Sequence, residues 1–320
     1  MFQALVHRAI RFLSGLDGSA PRKQIASTDT LEAPVAARAA HGPLRRAVLT
    51  DGVGRTLFEE YEAHRQGERG HEETGWVLLG LRERQEAIVL ASLPAGNDRD
   101  AGTGHIRFSS EAQVVGSRIL RQADRRLTIL GVVHTHPGSL RHPSEEDYRG
   151  DSLWVGRLRG KEGIFGIGTG DNQPGDAVDV AQQPRHNVQC YGALRFSWYS
   201  LADNSPTYRP LTVAYTLGPD LARPLHRVWP VLEAHAGRLE RLCRQQSGIV
   251  FDVTPEAEEP CLEVRVRLAE PAQFLRILVN RKGPRYYVQR QEKEFEVNPN
   301  ERCLDRGVYL LLAELANGTN

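Results

Sequence analysis

Lysine is nearly missing from this chain: of 41 basic residues only Lys23, Lys161, Lys282 and Lys293 are lysines, and the rest are arginine. GC-rich coding explains that bias without any function, and an avoidance of stray isopeptide acceptors is the sharper alternative. Cysteine is also sparse. Cys190, Cys243, Cys261 and Cys303 are scattered with no C-x-x-C pair, which argues against both a disulfide scaffold and a thiolate zinc site. No stretch approaches the roughly 18 consecutive apolar residues of a membrane span. The opening MFQALVHRAIRFLSGL is broken by His7, Arg8 and Arg11, which spoils it as the apolar core of a signal peptide. Charge of one sign is lacking too: 41 basic against 40 acidic residues leave a net +1, no electrostatic footprint for nucleic acid. These absences lead us to expect a cytoplasmic protein. What is present, 40% hydrophobic and 25% charged residues over 320 positions, is enough for one large folded domain or two ordinary ones.

Three regions follow from the patterning. In residues 1–44, Phe2, Val6, Ile10 and Leu13 recur at helical spacing, and an Ala- and Pro-rich stretch without apolar period then reads as a linker. From 45 to 215, short apolar runs (RRAVLT, GWVLLGL, EAIVLASL, LTILGVV, IFGIGTG) alternate with helical patterns, which predicts an α/β domain whose sheet is covered on both faces. The polar tract DNQPGDAVDVAQQPRHN interrupts that order before two closing strands. From 216 to 320, the helix VWPVLEAHAGRLERLCRQ, strand-like GIVFDV, CLEVRVRL, FLRILVN and RYYVQ, and a terminal helix predict an accessory α+β domain.

The chemistry concentrates in the middle region. The strand LTILGVV ends in His134 and His136, and residues i and i+2 of a strand project from one face, so both imidazoles can reach one ion. Pro137 and Gly138 then turn the chain, and Pro143-Ser144 marks a helix start that places Asp147 in the first turn. Two imidazoles and a carboxylate suit Zn2+, with the fourth position left to a catalytic water. Upstream, Glu73 directly precedes the apolar strand GWVLLGL, a carboxylate at the mouth of a buried strand and a candidate base for that water.

Taken together, E-T-G-W-V-L-L-G, H-T-H-P and S-E-E-D resemble the JAB/JAMM zinc metallopeptidases, over about half the chain. The resemblance implies a JAB/MPN fold, similar to that of cytidine deaminases: a mixed sheet flanked by helices. It implies one zinc held by His134, His136 and Asp147, Glu73 as general acid/base, and Ser144 as the hydroxyl that stabilises the oxyanion. It further implies hydrolysis of the bond after the C-terminal tail of a ubiquitin-like protein, by deconjugation or precursor processing. Bacterial members of the family suggest a setting beside activating and conjugating enzymes, in antiviral defence. One departure is Trp76, where many members carry a second glycine; it is expected to narrow the groove beside Glu73.

Other residues have plainer readings. Ser144 is explained by helix capping alone, and Glu145 and Glu146 by first-turn charges that the helix dipole favours. His142 is a minor candidate for touching substrate or metal, and His71 and His105 have no spacing partner. The glycine-rich loop LPAGNDRDAGTGHIRF is either an ordinary connection or a segment that pairs with an extended peptide. VNPNERCLDRG weakly resembles the segment around the active cysteine of ubiquitin-conjugating enzymes, with Asn298 in place of the histidine; a small core side chain is the simpler role for Cys303. The rival function is a non-catalytic, zinc-binding scaffold in a conjugation complex.

Overall fold

The computed structural model describes residues 41–96, 102, 108, 110–171, 182–255, 259–268, 273–290 and 293–317. The predicted N-terminal helix, the linker, most of the glycine-rich loop and His105 lie outside the described residues.

A ten-stranded mixed sheet forms the first unit. Its strands are β1 (Arg46–Thr50), β2 (Gly75–Arg82), β3 (Glu86–Pro94), β4 (Thr128–Thr135), β5 (Glu162–Thr169), β6 (Gln182–Arg185), β7 (Val188–Tyr191), β8 (Leu194–Ala202), β9 (Arg209–Pro210) and β10 (Thr212–Thr216). They run in the order β10-β1-β3-β2-β4-β5-β8-β7-β6, with β9 on β8. The sheet curls. β10 pairs in parallel with β1 at one edge, while Leu211 N–H donates to Trp198 O at 3.0 Å and Val213 N–H to His186 O at 2.8 Å near the other.

Helix α1 (Asp51–Gln66) starts where Thr50 accepts from Val53 N–H, and it buries Val53, Leu57, Phe58 and Tyr61 along one stripe. That stripe packs with Trp76, Leu78, Val133, Phe196 and Trp198 on one face of the sheet. The other face carries Val77, Leu79, Leu93 and Val132, against α2 (Glu111–Ala123) and α5 (Trp229–Gln245). Being buried on both faces, β2 and β5 read as continuous apolar runs without alternation.

The second core does not stop at the sheet. It continues through Trp229, Leu232 and Leu239 of α5 into Leu262, Val264, Leu275 and Ile277 of a five-stranded antiparallel meander. Its strands are β11 (Ile249–Pro255), β12 (Pro260–Arg267), β13 (Gln273–Asn280), β14 (Gly283–Arg290) and β15 (Lys293–Val297), and α6 (Leu304–Asn317) follows. This C-terminal sheet domain thus shares packed side chains with the first unit. The sequence reading omits β15, whose KEFEV is exposed throughout except its last residue, and the five-residue α4 (Arg223–Arg227).

One irregularity decides which way the site residues face. Between Leu78 and Leu79 the β2–β4 register shifts: Leu78 pairs with Gly131, but Leu79 pairs with Ile129. The extra residue resets the alternation along β4, so that Leu130 and Val133 enter the α1-side core while Val132 enters the other. Gly131 sits in this bulge at φ +153°, and a Cβ there would lie 1.7 Å from Ile164 O. Only glycine fits.

Trp76 corrects an expectation. It is buried in the α1-side core, edge-on to Phe196, with its Nε1–H donating to Glu60 Oε2 at 2.7 Å. Strand alternation turns it to the face opposite Glu73, so it does not narrow a groove there.

Candidate metal centre

Glu73 is brought to the histidines by the β2–β4 ladder. Gly75 pairs with His134, Thr135 N–H donates to Thr74 O at 2.9 Å, and Thr74 N–H donates to Thr135 Oγ1 at 3.0 Å. Continuing that register places Glu73 opposite His136, and directly opposed residues of an antiparallel pair share a face. Glu73 is 3% exposed, and its backbone N–H donates to Gly102 O at 2.8 Å. Gly75 leaves room for Phe108, whose ring would lie 2.5 Å from a Cβ at this position.

Asp147 arrives from the other side, on the short helix α3 (Glu145–Asp151). Ser144 caps that helix: its Oγ accepts from Asp147 N–H at 3.1 Å, while Ser144 N–H and Oγ–H both donate to Asp147 Oδ2, at 2.6 and 2.8 Å. The capping box therefore fixes the carboxylate before any ligand is considered. Oδ1 then lies 3.2 Å from His134 Nε2 and Oδ2 lies 3.4 Å from His136 Nε2, with the two Nε2 atoms 3.1 Å apart. These three residues can offer one ligand atom each to a common point.

Leu140 O accepts from His136 Nδ1 at 2.8 Å, which puts the neutral ring's proton on Nδ1 and leaves the Nε2 lone pair facing the cluster. Burial would push the His134 pKa down, but the hydrogen bond and charge of Asp147 outweigh it and the value is raised. For Asp147, burial alone would raise the pKa; hydrogen bonds to both imidazoles hold it well below the usual carboxylate range instead. Two imidazole nitrogens and a half-buried carboxylate converge here, a donor set that a cation can bridge.

Zinc fits that donor set. Bonds of about 2.0–2.1 Å to nitrogen and oxygen put neighbouring ligand atoms of a tetrahedron roughly 3.3 Å apart, the spacing of this trio. Among the described residues no fourth side chain joins this group. Ser144 stands at the rim, its hydroxyl on Asp147, and Glu73 lies across the ladder from His136.

The remaining candidates separate from this group. His142 is exposed, with Nδ1 3.2 Å from Pro143 O, and it is not among the clustered ligands. Glu145, Glu146 and His71 are exposed, and Glu145 pairs with Arg149 at 2.5 Å. Cys303 is half-buried ahead of α6.

One residue near the site was missed. Asp151, one helical turn beyond Asp147, accepts from Tyr208 Oη–H at 2.7 Å and from Trp154 Nε1–H at 3.2 Å. Burial pushes its carboxyl up to about 7, against those two hydrogen bonds and the pull of His134. The i, i+4 spacing of two aspartates on one helix was the available signal.

Comparison with known proteins matches the middle of the chain. Residues 55–180, which include Glu73, His134, His136, Ser144 and Asp147, match a family described as prokaryotic homologs of the JAB domain. Protein DSY2949 from Desulfitobacterium hafniense, known from a solution structure, is similar at 16% identity and a TM-score of 0.36, covering 54% of this chain and 95% of its own. No curated protein matches. No described helix is long and apolar enough to cross a membrane. Over residues 55–180, then, the chain is similar to the prokaryotic homologs of the JAB domain.

Proposed function

We infer that this chain is a zinc metallopeptidase that hydrolyses the amide or isopeptide bond following the C-terminal tail of a ubiquitin-like protein. The observation that carries the reading is the convergence of His134 Nε2, His136 Nε2 and Asp147 at 3.1–3.4 Å, with a buried glutamate on the facing strand. Among the described residues it is the one such group of potential ligands. Its three protein donors leave an open corner, the mark of a catalytic rather than a structural site.

His134, His136 and Asp147 would hold the ion. When bound, zinc supplies Lewis-acid chemistry, making water nucleophilic near neutral pH and polarising the scissile carbonyl. Glu73 takes the proton of the attacking water and hands it to the departing amine. Ser144 Oγ–H turns from Asp147 Oδ2 toward the oxygen that gains charge. The Leu140 carbonyl keeps His136 in the tautomer that offers Nε2 inward. Trp76 points to the opposite core, so its ring does not stand beside Glu73.

The test uses the purified full chain. Zinc near one per chain, chelator-sensitive cleavage of a ubiquitin-like protein carrying a C-terminal tag, and a Glu73→Gln variant that keeps its zinc but loses turnover are the expected results. Zinc without turnover on any such conjugate would overturn this reading and leave a zinc-binding scaffold.

A further inference from the structure

Beside the metal centre lies a cleft of about 450 Å³, lined by Arg141, His142, Pro184, Arg185, Arg195 and Tyr199. Three guanidiniums therefore surround one concavity. The fold builds the cluster from two directions. Arg141 and His142 belong to the loop whose Leu140 carbonyl pins His136, and Tyr199 Oη–H donates to Arg141 O at 3.0 Å, fastening that loop to β8. Arg195, Ser197 and Tyr199 alternate on one face of β8, and Arg185 stands at the end of β6, in the hairpin that β7 completes.

The register places this face. His134 pairs with Ile167 on β5, and Ile167 pairs with Ser197 on β8. Arg195, Ser197 and Tyr199 therefore share the sheet face of His134, two strand spacings away, or roughly 10 Å. A polypeptide lying across the metal centre passes over them within three or four residues.

The arginines are not equally occupied. Arg141 is paired with Asp171 at 2.9 Å, which holds it in place and offsets its charge. Arg195 donates from Nε to Ser197 Oγ at 3.2 Å, a neutral partner that orients the guanidinium. Among the described residues neither Arg185 nor Arg195 has a carboxylate partner. Tyr199, half-buried, supplies an aromatic wall between them and the metal loop. Among the described residues these two guanidiniums are not offset by a carboxylate, and a guanidinium's donor fork matches a carboxylate two oxygens at a time.

We propose that this cleft is a specificity subsite that binds acidic side chains, glutamate or aspartate, of the polypeptide substrate a few residues from the scissile bond. The proposal rests on the metallopeptidase reading for the placement of that polypeptide. A peptide suits the cleft better than a nucleic acid, because a net charge of +1 gives the chain little overall attraction for a phosphate backbone.

The test reads binding, not turnover, on the full chain carrying Glu73→Gln. Its probes are a fluorescein-labelled ten-residue peptide of alternating glutamate and glycine and the same peptide with glutamine. In low salt the glutamate peptide should bind about tenfold more tightly, and about 0.5 M salt should erase the difference, because exposed ion pairs are screened. Arg185→Ser with Arg195→Ser should also erase it, while Arg302→Ser, on the C-terminal domain, should not. Equal binding of the two peptides, or a preference that survives the double substitution, overturns the proposal. Tighter binding of a single-stranded oligonucleotide of equal charge would overturn it in favour of nucleic acid. If peptide preference persists but chelator-sensitive cleavage is never found, the metallopeptidase reading falls and the cleft stands.

Discussion

Asp151 gives the metal region a pH dependence whose sign and size can be worked from the structure. Its carboxyl, at 3.8 in an ordinary setting, is pushed up to about 7 by burial, since the hydrogen bonds from Tyr208 and Trp154 do not repay the loss of water. Below pH 3.8 the group is protonated in both folded and unfolded chains and contributes nothing to the difference. Between 3.8 and about 7 the unfolded chain releases this proton while the folded chain keeps it, so stability falls as pH rises. The loss is complete above about pH 7. About three pH units at 1.36 kcal/mol each set a ceiling of about 4 kcal/mol. Asp151→Asn removes the titration without removing the partners: its amide oxygen accepts from Trp154 Nε1–H, and its NH₂ donates to Tyr208 Oη. Thermal unfolding of the full chain in excess chelator, for both proteins at about pH 4.5 and pH 8, checks the prediction. The two should melt together at the lower pH, and the variant should melt several degrees higher at the upper one. Parallel melting temperatures at both pH values would show that Asp151 is already ionised in the fold, and the burial argument would fail.

Two further substitutions probe how the site is built. Gly131→Ala puts a Cβ 1.7 Å from Ile164 O, so β4 and β5 must part; we expect a loss above about 4 kcal/mol, or no folded protein, whereas Gly138→Ala, which meets no atom within 4 Å, should be tolerated on denaturant titration. Ser144→Ala removes both the cap of α3 and the hydroxyl on Asp147, so unfolding should move by about 1 kcal/mol while turnover falls about 10²–10³-fold at unchanged zinc content; equal effects on zinc and rate would make Ser144 a ligand-positioning group alone.

Much of the candidate site was legible because its information is local. H-x-H on a strand, a Pro-Ser helix start and an aspartate three residues later each fix a direction through period or capping, with no knowledge of the rest of the chain. The apolar run of β2, buried on both faces, gave the sheet its layers. What escaped is assembled across long separations. Arg141, Arg185 and Arg195 meet only because β8 returns beside β5 and the β6–β7 hairpin folds over it, so no window of sequence contains the cleft. Trp76 was misread for a related reason: its neighbour Gly75 drew attention to the groove, although alternation along β2 sends successive side chains to opposite cores. The exposed strand β15 has too little apolar period to announce itself, and α4 is too short. The continuous core linking α5 to both sheets is invisible to periodicity, which tells that a face is buried but not against what.

The phase of β4 is the deepest dependence of the site on the fold. This strand serves two cores at once, Val133 on the α1 side and Val132 on the other, and His134 and His136 inherit their direction from that division. Because the period is two, a one-residue slip would send both imidazoles into the core beside Phe196 and Trp198 and turn Val133 and Thr135 toward Asp147. The bulge at Gly131 absorbs such a slip within the strand: it lets Ile129 and Leu130 pack where their apolar character requires and still delivers the histidines to the face that Glu73 and Asp147 share. A glycine far from any reacting atom therefore carries as much of the site's geometry as the ligands do. Its signature in the sequence is a single glycine inside an otherwise β-branched and leucine-rich run, LTILGVV.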